Sequence, residues 1–308
     1  MRVFVTGGTG LVGRRLVRCL LDRGDQAVIL TRRADHARTL FGSDAQIVEG
    51  DPMRSGGWMD AVGDCDGVIH LAGENVFGRR WNADFKKLLH DSRILSTQLI
   101  VEALRRRPQR ADGRQKVLVN ASAIGFYGPH GDEELTENSP PGTDFLANLC
   151  VEWEKAARAA ESAGVRMAMI RVGVVLDKEG GALAKLLTPF KLGAGGPVGS
   201  GRQWMSWIHH ADLTSLFLLA LDRDDAVGPI NGTAPNPVVN REFGKILGRV
   251  LHRPSFVWTP GLALRVLVGE AASVIVTGQR VLPKRALELD YSFQFSTLEA
   301  ALTQILVG

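Results

Sequence analysis

At 308 residues the chain is long enough for one large domain or two, and 45% hydrophobic with 23% charged residues describes a folded globular chain rather than a disordered one. A net charge of +4, with Arg105, Arg106 and Arg107 as the compact basic run, gives nucleic-acid binding little support. Cys19, Cys65 and Cys150 are scattered without paired spacing, which argues against a disulfide framework and a zinc site and suits a reducing compartment.

In chain order, short apolar runs alternate with amphipathic stretches. "MRVFVTGG" opens as a strand and a glycine turn, which leaves no room for a signal peptide, and no apolar run approaches membrane-spanning length. The expectation is a cytoplasmic protein without membrane contact. A helix over 11–23 follows, then strands in "AVILTRR", "IVEGD" and "GVIHLAG", a helix over 84–107, the strand "VLVNASA", a helix over 144–158 and the strand "MAMIRVGVVL". Such alternation predicts βαβ units and an α/β Rossmann fold with a doubly wound parallel sheet. Beyond Leu176 the pattern changes to the glycine-rich "LGAGGPVGSGRQ", then "WMSWIHHADL", a helix over 214–221 and a proline-punctuated remainder. We therefore expect a nucleotide-binding domain of 1–175 plus about 204–230, and a smaller, partly discontinuous C-terminal domain of 176–203 and 231–308 over the carboxyl edge of the sheet.

"VFVTGGTGLVGRRLVRCLL" places Gly7, Gly10 and Gly13 in a G-x-x-G-x-x-G turn between the first strand and the first helix. In that context the turn reads as a dinucleotide site, with Thr9, Leu11 and Val12 beside the glycines and the helix amino terminus facing a pyrophosphate. At the end of the second strand stand Thr31, Arg32 and Arg33. NAD asks for an acid there; two guanidinium groups suit a 2′-phosphate, so the expected cofactor is NADP(H).

With the glycine turn, "GD" at 50–51 and "HLAG" at 70–73, the chain resembles the extended short-chain dehydrogenase/reductase superfamily, the NAD-dependent epimerase/dehydratase family. More narrowly, "GENVFGRRW", "DSRILSTQL", "SAIGFYG", "WMSWIHHADL" and "GQRVLPKR" resemble an epimerase-like subgroup of unknown substrate whose carboxyl-terminal segment is a domain of unknown function. The resemblance implies that Asp51 meets the adenine and that Leu71, Ala72 and Gly73 line the cofactor. Asp51 also fits a simple turn acid, being followed by proline. In the superfamily a serine at the end of the fifth strand is followed by Tyr-x-x-x-Lys on a helix, the tyrosine as acid/base. Here Ser122 fits, but Phe145 and Leu149 occupy the other two places, and neither titrates.

Two readings follow. In the first, the machinery is relocated: Ser122 and Tyr127 act, helped by Glu74, Arg93 or His209, on a small-molecule or nucleotide-sugar substrate that undergoes hydride transfer. In the second, the chain is a non-catalytic NADP(H)-dependent regulatory or scaffold protein, with Ser122 a turn hydroxyl and Tyr127 a structural aromatic. Glu74 and Asn75 follow the fourth strand and are placed to read a substrate, as are Arg79 and Arg80; Arg93, inside the next helix, is placed toward the cofactor. Val175, where the chain leaves the sixth strand, passes the nicotinamide or simply packs. His209 is placed toward the cleft and Asp212 as a helix cap; the adjacent His209 and His210 on a strand would face opposite sides, so no metal site is expected.

Overall fold

The computed structural model describes residues 1–308, the side chain of Leu267 excepted. The first half alternates as β1 (Arg2–Thr6), α1 (Leu11–Asp22), β2 (Gln26–Thr31), α2 (Ala34–Phe41), β3 (Gln46–Glu49), α3 (Trp58–Gly63), β4 (Gly67–His70), α4 (Ala83–Arg106) and β5 (Val117–Ala123). There follow β6 (Glu134–Leu135), α5 (Phe145–Arg158), β7 (Arg166–Val172), β8 (Val174–Leu176), α6 (Gly181–Lys191), β9 (Trp204–Met205), β10 (Trp207–His209), α7 (His210–Asp222) and β11 (Gly228–Gly232). The chain ends with β12 (Val238–Val239), α8 (Asn240–Val250), α9 (Gly261–Val268), α10 (Ala272–Val276), β13 (Arg280–Val281), α11 (Lys284–Glu288) and α12 (Leu298–Leu306).

Seven strands form one sheet in the order β11-β7-β5-β4-β1-β2-β3, with every pairing parallel. Their Val- and Ile-rich runs fit a sheet covered on both faces. Alternate residues of β1 show the two layers. Val3 and Val5 pack with Leu16, Leu20, Leu213 and Phe217 of α1 and α7, while Phe4 packs with Trp58, Val62, Ile100 and Leu104 of α3 and α4. Strand order reverses between β1 and β4, so a crevice opens at their carboxyl ends, where open α/β sheets bind ligands.

A further core forms from residues beyond β7: Leu176, Leu187, Phe190, Trp207, Phe243, Leu247, Leu302 and Ile305. The segment carrying α11 returns to the main core, where Ala286 and Leu289 are buried with Leu213 and Phe217. Asp212 ties this return. Its carboxylate accepts hydrogen bonds from the Tyr291 hydroxyl at 2.8 Å and from the Gln294 and Phe295 amides at 2.8 and 3.0 Å. The expected capping role of Asp212 is therefore corrected: α7 begins at His210, four residues before the expected 214–221 run, and His209 caps it by accepting from the Ala211 amide at 3.1 Å. None of the helices among the described residues is long and apolar enough to cross a membrane.

Candidate nucleotide and substrate site

Gly7 lies at φ +68°, a left-handed conformation that side chains disfavour, and a Cβ there would sit 2.8 Å from the Leu71 carbonyl carbon. A Cβ on Gly13 would lie 2.1 Å from the Gly7 oxygen. Gly10 differs. A Cβ on it would meet only the Gly7 oxygen, at 3.2 Å, and otherwise face open space. Gly7 and Gly13 thus serve the fold, whereas Gly10 keeps room outside it. Gly10 caps α1 without a side-chain bond, there is no acid in the first turn, and the amides of Leu11, Val12 and Gly13 have no protein acceptor among the described residues. Open space at unpaired helix amides fits a pyrophosphate.

Around this turn the structure brings together the predicted segments Leu71–Ala72, Thr31–Arg33 and Val175. The Leu71 amide donates to the Thr6 carbonyl at 3.2 Å and the Ala72 amide to Thr6 Oγ1 at 3.2 Å, which presses the end of β4 against the glycine turn. His70 beneath is fully buried between Thr6 Oγ1 and Ser96 Oγ, at 2.6 and 3.1 Å, and burial pushes its pKa down to about 3, so it stays neutral. Thr31 Oγ1 accepts from the Arg33 amide at 3.1 Å, while the Arg32 and Arg33 side chains are exposed with no carboxylate partner among the described residues. Asp51 Oδ1 accepts from the Met53 amide at 3.0 Å and so shapes its own turn. Val175 reaches the turn through its neighbours: its carbonyl lies 3.5 Å from where a Gly181 Cβ would be, and a Gly180 Cβ would lie 3.0 Å from Leu11 Cδ1. Thr9 is half-buried within the turn.

Arg93 stands at the inner wall. Its guanidinium donates to the Leu89 and Glu74 carbonyls at 3.0 Å each, lies 5.1 Å from the Trp153 ring centroid, and would be 3.3 Å from a Cβ on Gly73. Burial lowers its pKa from the ordinary arginine value, and it has no carboxylate partner among the described residues. A half-buried cation without a counter-ion carries a desolvation cost, which fits a site that receives an anion.

The other predicted groups lie elsewhere. Ser122 is buried and donates to Glu154 Oε1 at 2.8 Å. Glu154 in turn holds Arg171 through two bonds, of 2.8 and 2.9 Å, and Arg171 Nη1 donates to the Tyr127 hydroxyl at 2.9 Å. Tyr127, fully buried, donates to Asn231 Oδ1 at 2.7 Å, and burial pushes its pKa up to about 12. Ser122 and Tyr127, expected to act in catalysis, are thus placed with both hydroxyls engaged in a network that links β5, the turn after it, α5, β7 and β11. Arg171, a charge in the apolar run "MAMIRVGVV", was the sequence signal for it, and Glu154 was not singled out. His209, expected toward the cleft, is buried against Phe295, with centroids 3.9 Å apart, and bonded to Gln304 Oε1 at 2.9 Å. Because the chain turns into α7 at His210, the two histidine rings lie 4.2 Å apart instead of on opposite faces.

Asn75 uses its side-chain oxygen to accept from the Phe77 amide at 2.9 Å, which shapes the loop after β4; the Glu74 amide donates to Ser92 Oγ at 3.0 Å. Phe145 and Leu149 join Phe85, Leu89 and Trp81 in a small apolar cluster between α4 and α5, with Trp81 edge-on to Phe145 at 5.4 Å. Asp144 caps α5 by accepting from the Ala147 amide at 2.8 Å. Lys86, unnoticed in the sequence among the charges of α4, holds its Nζ 5.0 Å from the Phe145 centroid. The chain path, not local pattern, puts it there.

Comparison with known proteins agrees with this geometry. Residues 3–231 match the model of the NAD dependent epimerase/dehydratase family, and 259–305 match a domain of unknown function, DUF1731. The chain is 43% identical to the chloroplastic epimerase family protein SDR39U1 homolog of Arabidopsis thaliana, over 99% of this chain and 87% of that one. It is 37% identical to the Homo sapiens epimerase family protein SDR39U1, over 99% of both. The crystal structure of human SDR39U1 (isoform 2) with NADPH superimposes with a TM-score of 0.86, at 35% identity and over 99% of each chain. With residues 3–231 matching that family model and full-length relatives at 37–43% identity, the chain belongs to the NAD dependent epimerase/dehydratase family.

Proposed function

We propose that this protein binds NADPH across the glycine turn and carries out hydride transfer at a hydroxyl- or carbonyl-bearing carbon of a small or nucleotide-sugar substrate. The observation that carries the reading is the open space at Gly10 beside unpaired α1 amides, with the unpaired Arg32 and Arg33 at the next strand end. The α1 amides suit the pyrophosphate and the two guanidinium groups suit a 2′-phosphate, which favours NADP(H) over NAD(H). The NADPH found with the human relative supports the same choice. When bound, the cofactor supplies a hydride. The protein's share is to hold it, with Arg93 offering positive charge beside Gly73 and the Phe145 cluster excluding water.

A second reading rests on a specific observation. Phe145 and Leu149 cannot titrate, and Ser122 and Tyr127 are held in a closed network, which suits an NADP(H)-binding protein that reports cofactor state without turnover. Three free cysteines suit a reducing compartment, and the cytoplasm is the proposed one. The deciding experiment titrates NADPH and NADH into wild type, Arg32→Ala and Gly10→Val. Arg32→Ala should weaken NADPH by about tenfold or more, corresponding to about 1.5–3 kcal/mol, and leave NADH nearly unchanged. Gly10→Val should abolish both while the melting temperature stays close to wild type. Equal wild-type affinity for the two cofactors would overturn the NADP(H) preference, and a screen of carbonyl compounds and nucleotide sugars with NADPH oxidation as readout separates turnover from sensing.

A further inference from the structure

The mouth of the crevice is framed by contacts that cross from one part of the chain to another. Leu11 of the glycine turn packs beneath Gly180 and Gly181 at the start of α6. One turn along α6, Lys185 places its Nζ 5.3 Å from the Phe77 ring, in the loop after β4. That loop then meets the segment around α9: Arg80 donates to the Val266 carbonyl at 3.1 Å. Finally, Lys86 Nζ pairs with Glu270 Oε1 at 2.6 Å. The frame therefore runs from the nucleotide turn to Phe145, the place the superfamily pattern gives to tyrosine.

Its charge is one-sided. Arg79, Arg80 and Lys185 are exposed and have no carboxylate within ion-pair distance among the described residues; Glu74 and Asp84, which flank the arginines in sequence, pair with none of them, and Glu179, the acid nearest Lys185, pairs with Arg14 and Arg15. Lys86 is the cation of the frame with a carboxylate, and that partner is replaceable. Glu270 is 54% exposed in a short turn that follows Gly269 at φ +69°. An ion pair of this exposure is screened by solvent and weak. The ammonium is held independently of it, 5.0 Å from the Phe145 centroid and 5.6 Å from the Trp81 centroid, by attraction to both ring faces. Glu270 thus places a carboxylate beside the apolar cluster of Trp81 and Phe145.

We propose that Lys86 is the substrate anchor of this site, that the molecule it takes carries a carboxylate or phosphate, and that Glu270 fills the anion's place until that group arrives. This rests on the cofactor reading above only for the location of the reacting carbon. Specificity follows from the arrangement. A neutral molecule leaves the Lys86–Glu270 pair closed, whereas an anion exchanges with Glu270 and releases the turn at 269–271 from Lys86 on α4.

The test uses the full chain saturated with NADPH and labelled with ¹⁵N-tryptophan. The indole signal of Trp81, identified with Trp81→Phe, is followed while inorganic phosphate, malonate or glycerol is added at constant ionic strength. Phosphate or malonate should give a saturable shift and glycerol none; which anion binds more tightly separates the phosphate from the carboxylate source. Glu270→Gln should tighten anion binding by about threefold and Lys86→Met weaken it by about tenfold or more, while Lys86→Arg retains it. NADPH affinity should be the same in all four proteins. An absent or non-saturating shift, a shift that persists in Lys86→Met, or unchanged affinity in Glu270→Gln overturns the proposal. The titration is repeated without NADPH, so failure to bind cofactor defeats the cofactor reading and still leaves Lys86 judged by its own signal.

Discussion

The glycine turn and the network behind β5 are both polar, both lie toward the carboxyl end of the same sheet, and differ in one respect: whether their hydrogen-bonding groups already have partners. At the turn, the amides of Leu11, Val12 and Gly13 and the side chains of Arg32 and Arg33 have none among the described residues. Behind β5, Ser122, Glu154, Arg171, Tyr127 and Asn231 satisfy one another, with Asn231 also donating to the Leu282 carbonyl at 2.9 Å. Unpaired donors beside open space define a ligand site, while paired groups without exposure define a joint between elements. A serine and a tyrosine close to a cofactor-binding sheet edge look catalytic by sequence position, and in the fold both hydroxyls have partners within the joint.

The comparison breaks most sharply at Glu154. Glu154→Gln leaves the Arg171 guanidinium buried without its carboxylate, and should cost about 3–5 kcal/mol of stability in urea denaturation. NADPH affinity of the folded fraction should stay at the wild-type value. A loss of affinity with little loss of stability would move the network from the joint to the site.

Restoring the related enzymes' pair with Phe145→Tyr and Leu149→Lys sharpens the contrast on α5. Leu149 is 4% exposed among Phe85 and Leu89, so a lysine there is desolvated, and the double variant should lose about 3 kcal/mol, most of it recovered by reverting position 149 alone. If the variant melts near wild type and gains NADPH-dependent turnover, position 149 faces the cofactor and the scaffold is a catalyst that lacks its acid.

The smallest effect belongs to Tyr127→Phe. Removing one hydroxyl that donates to Asn231 and accepts from Arg171 should lower stability by about 1–2 kcal/mol, measured by urea titration. Any turnover found in the substrate screen should keep its rate. A selective drop in kcat at unchanged stability would return Tyr127 to the chemistry.

The sheet was legible because parallel strands covered on both faces read as near-continuous apolar runs, and "VFVTG", "AVILT" and "MAMIRV" are such runs. Strand β11 was not, since "GPING" has neither the composition nor the alternation of a strand. It pairs with β7 at the sheet edge, where Pro229 is tolerated because one side has no neighbour. Similarly, the burial of Leu149 and Trp153 followed from helical spacing, whereas the burial of Glu154 on the same helix depended on Arg171, which approaches from a strand 17 residues away in sequence.

By itself the sequence determined what short-range geometry controls: the glycine turn, the arginines at the end of β2, the strand and helix order, and the absence of a titratable pair at 145 and 149. Each of these depends on residues within one or two turns or strands of one another. Tertiary structure decided the fate of Ser122, Tyr127 and His209, and brought Lys86 to Glu270 across 184 positions. Whether a polar group is free to act depends on every atom that reaches it, and those atoms come from segments that meet only when the chain is folded.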